Sequence, residues 1–178
     1  MNKLMLFFLL VTSTYIVSDL KVDLEKQIDP LMDRVIEWRH DIHKYPELSN
    51  REFRTAKKVE DHLLSLGVEV ETKIAYTGVV GFIRGALSGP TIALRADMDA
   101  LPVVEKTGLP FASKETTQYI GQDVGIMHAC GHDEHVAILM GVAEFLSKNK
   151  DKLRGNIMLI FQPAEEGPPE GENGGAKM

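Results

Sequence analysis

The sequence has little cysteine, no long hydrophobic run and no excess of positive charge, and each shortage excludes a class of protein. Cys130 is the only cysteine among 178 residues, so an intramolecular disulfide scaffold is excluded. Lys and Arg number 20 against 26 Asp and Glu, for a formal net charge of −6. A mildly acidic chain without a basic run is a poor candidate for nucleic-acid binding. Hydrophobic residues nevertheless make up 44% of the chain, which is typical of a folded domain.

The N-terminus has the pattern of an export signal. Lys3 precedes an apolar run at residues 4–11, and Thr12 follows that run. The run is too short for a membrane span, which needs about 20 residues, but it suits the apolar core of a signal peptide. We predict a signal peptide over residues 1–18 and a secreted, periplasmic or lumenal protein. The alternatives are a helix buried in the core and an uncleaved anchor.

Hydrophobic periodicity predicts three amphipathic helices. Apolar side chains recur at helical spacing over residues 19–44 and 133–148, as they do along a helix with one buried face. Between these segments, Ser49 and Glu52 have the spacing of a capping box, in which each side chain accepts a hydrogen bond from the other's backbone N–H. The box predicts a helix that begins there, with Phe53 on its inward face.

Four short segments with β-branched or apolar side chains predict strands, and stretches with Gly or Pro separate most of them. They are residues 68–72, 79–84, 91–96 and 156–161. The last segment is apolar after its first residue, so we expect helices over both of its faces. Because a helix lies between the third and fourth strands, these two are predicted to be parallel. The predicted fold class is α/β.

Acidic residues follow two of the predicted strands. Asp97 and Asp99 come directly after the third strand, and Glu165 and Glu166 after the fourth, where open α/β sheets bind their ligands. Asp99 is suited to orient a histidine ligand. Adjacent glutamates on extended chain point in opposite directions, so one can bind a metal while the other transfers protons. The alternatives are a turn cap for the aspartates and a solvated loop for the glutamates.

The start of the last predicted helix holds a cluster of metal-binding side chains. His128, Cys130, His132 and His135 lie within eight residues, and thiolate and imidazole are ligands for zinc and similar ions. Gly131 permits a bent loop that brings its two neighbours together. One alternative is that the histidines only cap and pack; another is that the thiol is a nucleophile activated by a histidine. Metal ligation would protect the thiol of an exported protein from oxidation.

Four motifs resemble a known family. They are WRHDIH and PEL within residues 38–48, RADMDALP at 95–102, HACGHD at 128–133 and FQPAEEG at 161–167. In this order they resemble the M20 metallopeptidase family, in the amidohydrolase branch that holds hippurate hydrolases, N-acyl-amino-acid amidohydrolases and IAA-amino acid (auxin-conjugate) hydrolases. The resemblance extends from about Leu31 to Met178.

The resemblance implies a metal centre with two divalent ions, manganese or zinc. Cys130, His132 and Glu166 match the family's metal ligands. His135 belongs to the family motif, but we do not expect it to be a ligand.

The resemblance also implies catalytic roles. Glu165 matches the general base that activates the attacking water, and Asp99 matches a carboxylate that helps to position the site. Asp97 stands where other branches of the family carry a ligating histidine. The implied reaction is hydrolysis of the amide bond of an N-acyl amino acid, a small-molecule substrate, into a carboxylic acid and an amino acid.

The chain is short for this family, whose members are roughly twice as long because of a lid or dimerisation domain and a second catalytic segment. We therefore expect residues 19–178 to be the N-terminal part of the catalytic domain, with a mixed, mostly parallel sheet flanked by helices and no lid domain. A homodimer is expected only of a full-length form. The alternatives for the 178-residue chain are a catalytically incompetent metal-binding fragment and a hydrolase with Cys130 as nucleophile.

Overall fold

A computed structural model of the chain describes residues 3–168, with side chains from residue 23 onward. The chain divides into two compact units, residues 1–33 and residues 34–178, and helix α1 (Lys3–Lys44) contributes to both. The predicted signal peptide, residues 1–18, lies before the first residue whose side chain is described, so it stays a prediction. Among the described residues, no helix is both long enough and apolar enough to cross a membrane.

The remaining helices and strands lie in the second unit. The helices are α2 (Phe53–Ser65) and α3 (His132–Lys148), followed by a single 3-10 turn (Lys150–Lys152). The strands are β1 (Glu69–Ile74), β2 (Gly78–Arg84), β3 (Leu87–Asp97), β4 (Thr116–Tyr119), β5 (Gln122–Gly125) and β6 (Arg154–Gln162). Every helix and strand predicted from the sequence is present. The β4–β5 hairpin is an addition that the sequence pattern did not predict.

Four strands form one mixed sheet in the order β1–β2–β6–β3. Strands β1 and β6 are both antiparallel to β2, whereas β3 runs parallel to β6. The parallel pair is the one expected from the strand–helix–strand order, since α3 lies between its two strands in sequence. The α/β fold class and the mixed sheet are therefore confirmed. The sheet is not mostly parallel, however, because β3–β6 is the one parallel pair of the three in these four strands.

The hydrophobic core lies on one face of the sheet. Ile157, Leu159 and Phe161 of β6 alternate toward it and are buried, and Leu63 of α2 and Val136 of α3 belong to the same core. The intervening residues of β6 are only half-buried. Helices over both faces of β6 were expected, but the described helices pack against a single face. The strand therefore shows the alternation of a sheet with one buried side.

Helix α2 begins without the predicted capping box. Glu52 occupies the cap position but makes no side-chain cap bond to the helix. Its carboxylate accepts a hydrogen bond from the Ala164 N–H, and the Ser49 hydroxyl donates to Asp99. The capping-box prediction was wrong because both side chains bond to distant parts of the chain. Phe53, which was expected to face inward, is 67% exposed.

Glu47 performs the capping that the box was expected to supply. Its two carboxylate oxygens accept hydrogen bonds from the Arg54 and Thr55 N–H groups, at 2.9 and 2.8 Å. These amides belong to the first turn of α2, where backbone N–H groups have no partner within the helix and an anion is favoured. The start of α2 is therefore bound to the segment that links it to α1.

The alternation along β6 predicts the effect of truncating neighbouring side chains. Leu159→Ala removes a fully buried side chain and should lower the free energy of unfolding by about 2–5 kcal/mol. Met158→Ala, on the half-buried face, is the matched control and should cost about 1 kcal/mol or less. Denaturant unfolding of the two variants measures both losses. Equal losses would contradict the one-sided core.

Candidate metal centre

Parallel pairing brings the ends of β3 and β6 to the same place. Asp97 lies opposite Gln162 in the register of the two strands, and the pairing continues beyond β3 because the Met98 N–H donates to the Gln162 carbonyl at 2.9 Å. The segments that follow the two strands therefore leave the sheet side by side. Asp99 and Glu166 come into direct contact, because the Glu166 N–H donates a hydrogen bond to Asp99 Oδ2.

The start of α3 adds a thiol and an imidazole to this edge. His132 is the first residue of α3, and Gly131 before it has a φ of +89°, in the left-handed region that favours glycine. The bend leaves Cys130 exposed and His132 buried. The sulfur of Cys130, a ring nitrogen of His132 and a carboxylate oxygen of Glu166 all lie within 4.8 Å of one another. The structure thus brings together the three residues that were predicted to bind metal.

Asp99 is the hydrogen-bonding centre beneath these residues. Its Oδ2 accepts hydrogen bonds from the Ser49 hydroxyl at 2.6 Å and from the Glu166 N–H at 2.9 Å. His132 Nδ1 lies 2.9 Å from the Asp99 backbone oxygen and 3.2 Å from its Oδ1. Because a carbonyl oxygen only accepts, Nδ1 carries a proton. The neutral ring therefore has its lone pair on Nε2, as a metal-ligating histidine does when its other nitrogen is bonded to a carbonyl or carboxylate.

The same contacts determine the protonation of the candidate ligands. Burial opposes the charging of His132, but its hydrogen bonds to the side chain and backbone of Asp99 outweigh burial and raise the pKa of His132 to about 9. Burial of Asp99 is likewise outweighed by hydrogen bonds from His132 and Ser49, which lower the pKa of Asp99. A hydrogen bond to the Glu166 carboxylate raises the pKa of Cys130 to about 11. Without a bound ion, His132 is charged and Cys130 is a thiol at neutral pH.

The two glutamates face the free nitrogen of His132. Glu165 Oε2 lies 3.8 Å and Glu166 Oε1 lies 3.9 Å from His132 Nε2, and the side chains are 40% and 21% exposed. Oε1 of Glu166 is buried and accepts no hydrogen bond from the described residues. Both carboxylates are thus close to the thiol–imidazole pair, and Glu165 is the more open to solvent.

A second group of candidate ligands shares His132 with the first. It consists of Asp97, His132 and His135, whose ligand atoms also lie within 4.8 Å of one another. Asp97 is buried and pairs with Arg95 at 3.2 Å, whereas the side chain of His135 is 51% exposed. Since Nδ1 of His132 is bonded to Asp99, only Nε2 is free. His132 can therefore serve one of the two groups at a time.

His128 lies outside both groups. It is buried, and neither ring nitrogen has a hydrogen-bond partner among the described residues. Burial lowers the pKa of His128 to about 4, so the ring is neutral at physiological pH. The sequence cluster of candidate ligands therefore contained one histidine, His128, that belongs to neither group in the structure.

Two residues of α1 that received no role from the sequence support the start of α3. Arg39 Nε and His43 Nδ1 each lie 2.9 Å from Oδ2 of Asp133, which is 1% exposed. Asp133 directly follows His132, so these bonds hold the first turn of α3 in place. Arg39 and His43 are four residues apart, which puts them on one face of α1. Their spacing in the sequence indicates that the two side chains lie on the same face, but it could not show that both bind Asp133.

The chain was compared with known proteins. The sequence profile described as Peptidase family M20/M25/M40 matches residues 93–178. Thermostable carboxypeptidase 1 of Saccharolobus solfataricus is 52% identical over 160 residues, which cover 89% of this chain and 38% of that protein. N-acetyl-L-cysteine deacetylase of Bacillus subtilis is 48% identical over 139 residues, which cover 78% of this chain and 32% of that protein.

A solved structure has the same fold. The YXEP protein of Bacillus subtilis, described as a dinuclear metal binding peptidase from the M20 family, superposes with a TM-score of 0.69 at 44% sequence identity. The match covers 78% of this chain and 36% of that one. This chain thus spans well under half the length of each of these three proteins.

The protonation of the candidate ligands predicts a pH-dependent metal affinity. Metal binding must displace a proton from Cys130 and from His132, since both are protonated below pH 9 without an ion. The apparent affinity of the intact protein for Zn²⁺ should therefore rise between pH 6 and pH 8. If both protons leave, the rise should be about 100-fold per pH unit. Chelator competition measures it.

The Cys130→Ser variant is the control, because it lacks the thiol proton. Its logarithmic slope against pH should be lower by about one. An affinity of the unmodified protein that does not change with pH would contradict the assignment of these two residues as ligands.

Proposed function

The chain belongs to peptidase family M20/M25/M40, and we propose that the intact protein is a metal-dependent amidohydrolase that cleaves the amide bond of N-acyl amino acids. The observation that carries the proposal is the meeting of Cys130, His132 and Glu166 beside Glu165 at one edge of the sheet. These residues come from two segments of the chain, one at the start of α3 and one after β6. A thiol, an imidazole and two carboxylates so arranged supply both metal ligands and a base.

The choice of substrate rests on the relatives. One of them is named for deacetylation of N-acetyl-L-cysteine, which is an N-acyl amino acid. Another is named a carboxypeptidase, and its reaction also cleaves an amide bond next to an amino acid. Amide hydrolysis is therefore common to both, and preference for an N-acyl amino acid is the narrower part of the proposal.

The donor set fits a divalent ion. Thiolate, imidazole and carboxylate together are the ligands that zinc and similar ions take in proteins. Nε2 of His132 is left free by the bonds at Nδ1, and Oε1 of Glu166 is buried and has no hydrogen-bond partner within residues 3–168. Cys130, His132 and Glu166 would hold the ion. We propose two ions, manganese or zinc, in the intact protein.

The residues of this chain divide the chemistry among them. A divalent ion, when bound, polarises the substrate carbonyl and lowers the pKa of water. Glu165, which is solvent-accessible and close to His132, takes a proton from the attacking water as it adds to the carbonyl carbon, and passes the proton to the leaving nitrogen. The C–N bond then breaks to give a carboxylic acid and a free amino acid. Asp99 keeps the His132 ring and the Glu166 backbone in place.

The alternative with Cys130 as nucleophile is not supported by the surroundings of the thiol. A nucleophilic cysteine needs a lowered pKa, supplied by a cation or a helix N-terminus. Cys130 lies beside His132 at the start of α3, but its hydrogen bond to the Glu166 carboxylate and its partial burial still raise the pKa of Cys130 to about 11. The thiol is therefore protonated at neutral pH unless an ion binds it.

Chelation separates the two mechanisms. We expect a strong chelator to abolish amide hydrolysis by the intact protein and added Mn²⁺ or Zn²⁺ to restore it, because the reaction needs the ion. Activity that survives exhaustive chelation but is lost on alkylation of Cys130 would contradict the metal mechanism.

Substitution of the proposed base gives a second test. Glu165→Gln keeps the size of the side chain but removes its ability to take a proton, so kcat should fall by about 10²–10⁴-fold. Metal content, measured by mass spectrometry, should be unchanged, because Glu165 is not one of the three proposed ligands. Turnover is measured as release of the free amino acid.

Glu134→Gln is the matched control, since Glu134 is an exposed carboxylate on α3 that pairs with Arg39 outside the candidate site. Its kcat should stay within about twofold of the unmodified protein. Undiminished turnover in Glu165→Gln would rule out the role of Glu165 as base.

A further inference from the structure

Glu52 is a buried carboxylate without a role in the mechanism above. It is 0% exposed, and burying a carboxylate costs free energy of folding unless its oxygens are hydrogen-bonded. The sequence pattern suggested that Glu52 caps α2, but it makes no such bond. Its partners are the nearby Asn50 N–H and two groups in distant parts of the chain, on Thr77 and Ala164.

One oxygen of Glu52 accepts two backbone hydrogen bonds. Oε1 lies 3.0 Å from the Asn50 nitrogen and 2.9 Å from the Ala164 nitrogen. The other oxygen, Oε2, accepts a hydrogen bond from the Thr77 hydroxyl, in the turn before β2. The Ala164 bond spans 112 positions of sequence, and it reaches the residue directly before Glu165.

The backbone at Ala164 needs this support. Its φ is +51°, in the left-handed region, which costs a residue with a Cβ roughly 1 kcal/mol or more. Ala164 is also fully buried, so its N–H cannot bond to water instead. The hydrogen bond to Glu52 is therefore part of what holds the chain in the turn that presents the two glutamates.

The residues on both sides of Glu165 donate backbone hydrogen bonds to buried carboxylates. Glu52 accepts from the N–H of the residue before it, and Asp99 accepts from the N–H of Glu166 after it. We propose that Glu52 is a positioning residue for the candidate metal centre. Glu52 acts through its hydrogen bond from the Ala164 N–H, which holds Glu165 and Glu166 close to His132. The inference rests on the proposed function for its effect on turnover, but the hydrogen bond itself is testable without it.

The geometry also predicts which substitution is tolerated. Oε1 can accept both backbone bonds whether Oε2 is ionised, protonated or replaced by an amide. In Glu52→Gln the amide NH₂ can donate to the Thr77 hydroxyl, which accepts as well as donates. Glu52→Gln should therefore preserve the position of the turn, whereas Glu52→Ala removes the acceptor for Ala164.

Thr77→Val is the matched control for a purely structural effect. It removes the bond at Oε2 from the same buried cluster and leaves the Ala164 bond in place. In the intact protein we expect Glu52→Ala to lower kcat by about tenfold or more, with a smaller change in KM, because displacement of the catalytic group slows chemistry more than binding. Thr77→Val should change kcat less than about twofold, and Glu52→Gln should restore most of the loss.

Amide hydrogen exchange tests the hydrogen bond apart from activity. In the unmodified protein the Ala164 N–H should be protected, and Glu52→Ala should raise its exchange rate by about tenfold or more while Thr77→Val leaves it unchanged. If Glu52→Ala does not fold, the protection of Ala164 in the unmodified protein and in Glu52→Gln still decides the point. An unprotected Ala164 N–H would overturn the inference.

Two outcomes separate this inference from the proposed function. Equal losses of kcat in Glu52→Ala and Thr77→Val, or no loss in Glu52→Ala, would overturn the positioning role while leaving the amidohydrolase assignment intact. An inactive but metal-binding unmodified protein would instead overturn the proposed function, and the exchange of Ala164 would still support or overturn the positioning of the turn.

Discussion

The parallel pairing of β3 with β6 is the constraint on which the candidate centre depends. Parallel strands end at the same edge of a sheet, so the two acidic segments that follow β3 and β6 emerge together although 67 positions separate Asp99 from Glu166. Helix α3 lies between these strands in sequence, and its first residue, His132, bonds to Asp99. One crossover thus places a carboxylate, an imidazole and two further glutamates at a single point.

The charge balance at this point favours a cation. Asp99 is 1% exposed, and Glu165 and Glu166 lie within 4 Å of His132. Like charges so close destabilise one another unless a positive charge lies among them. In the described residues His132 supplies that charge, and its hydrogen bonds to Asp99 outweigh burial and raise the pKa of His132 to about 9. A divalent ion would take over the same role and free the His132 nitrogen to bind it.

Backbone bonds, as much as side chains, determine the shape of the centre. Gly131 has a positive φ where the chain turns into α3, and Ala164 has one where it leaves β6. Buried carboxylates accept hydrogen bonds close to both turns: Asp133 from α1 side chains, and Glu52 from Ala164. The cost of burying these charges is offset by the N–H and ring donors that they satisfy. Hydrogen bonds from several segments of the chain therefore support the backbone on both sides of the candidate centre.

Local pattern predicted the helices and strands, the parallel pair and the bend at Gly131, because periodicity and glycine flexibility act over a few residues. The grouping of Cys130, His132 and Glu166 as ligands came from the family resemblance. The family resemblance supplied the expected roles at the centre. The partners of Ser49 and Glu52 were decided only by the tertiary structure, since their bonds reach across 50 and 112 positions. A short-range capping pattern cannot show that a distant donor competes for the same oxygen. The sequence therefore determined which groups are present, and the fold decided which of them meet.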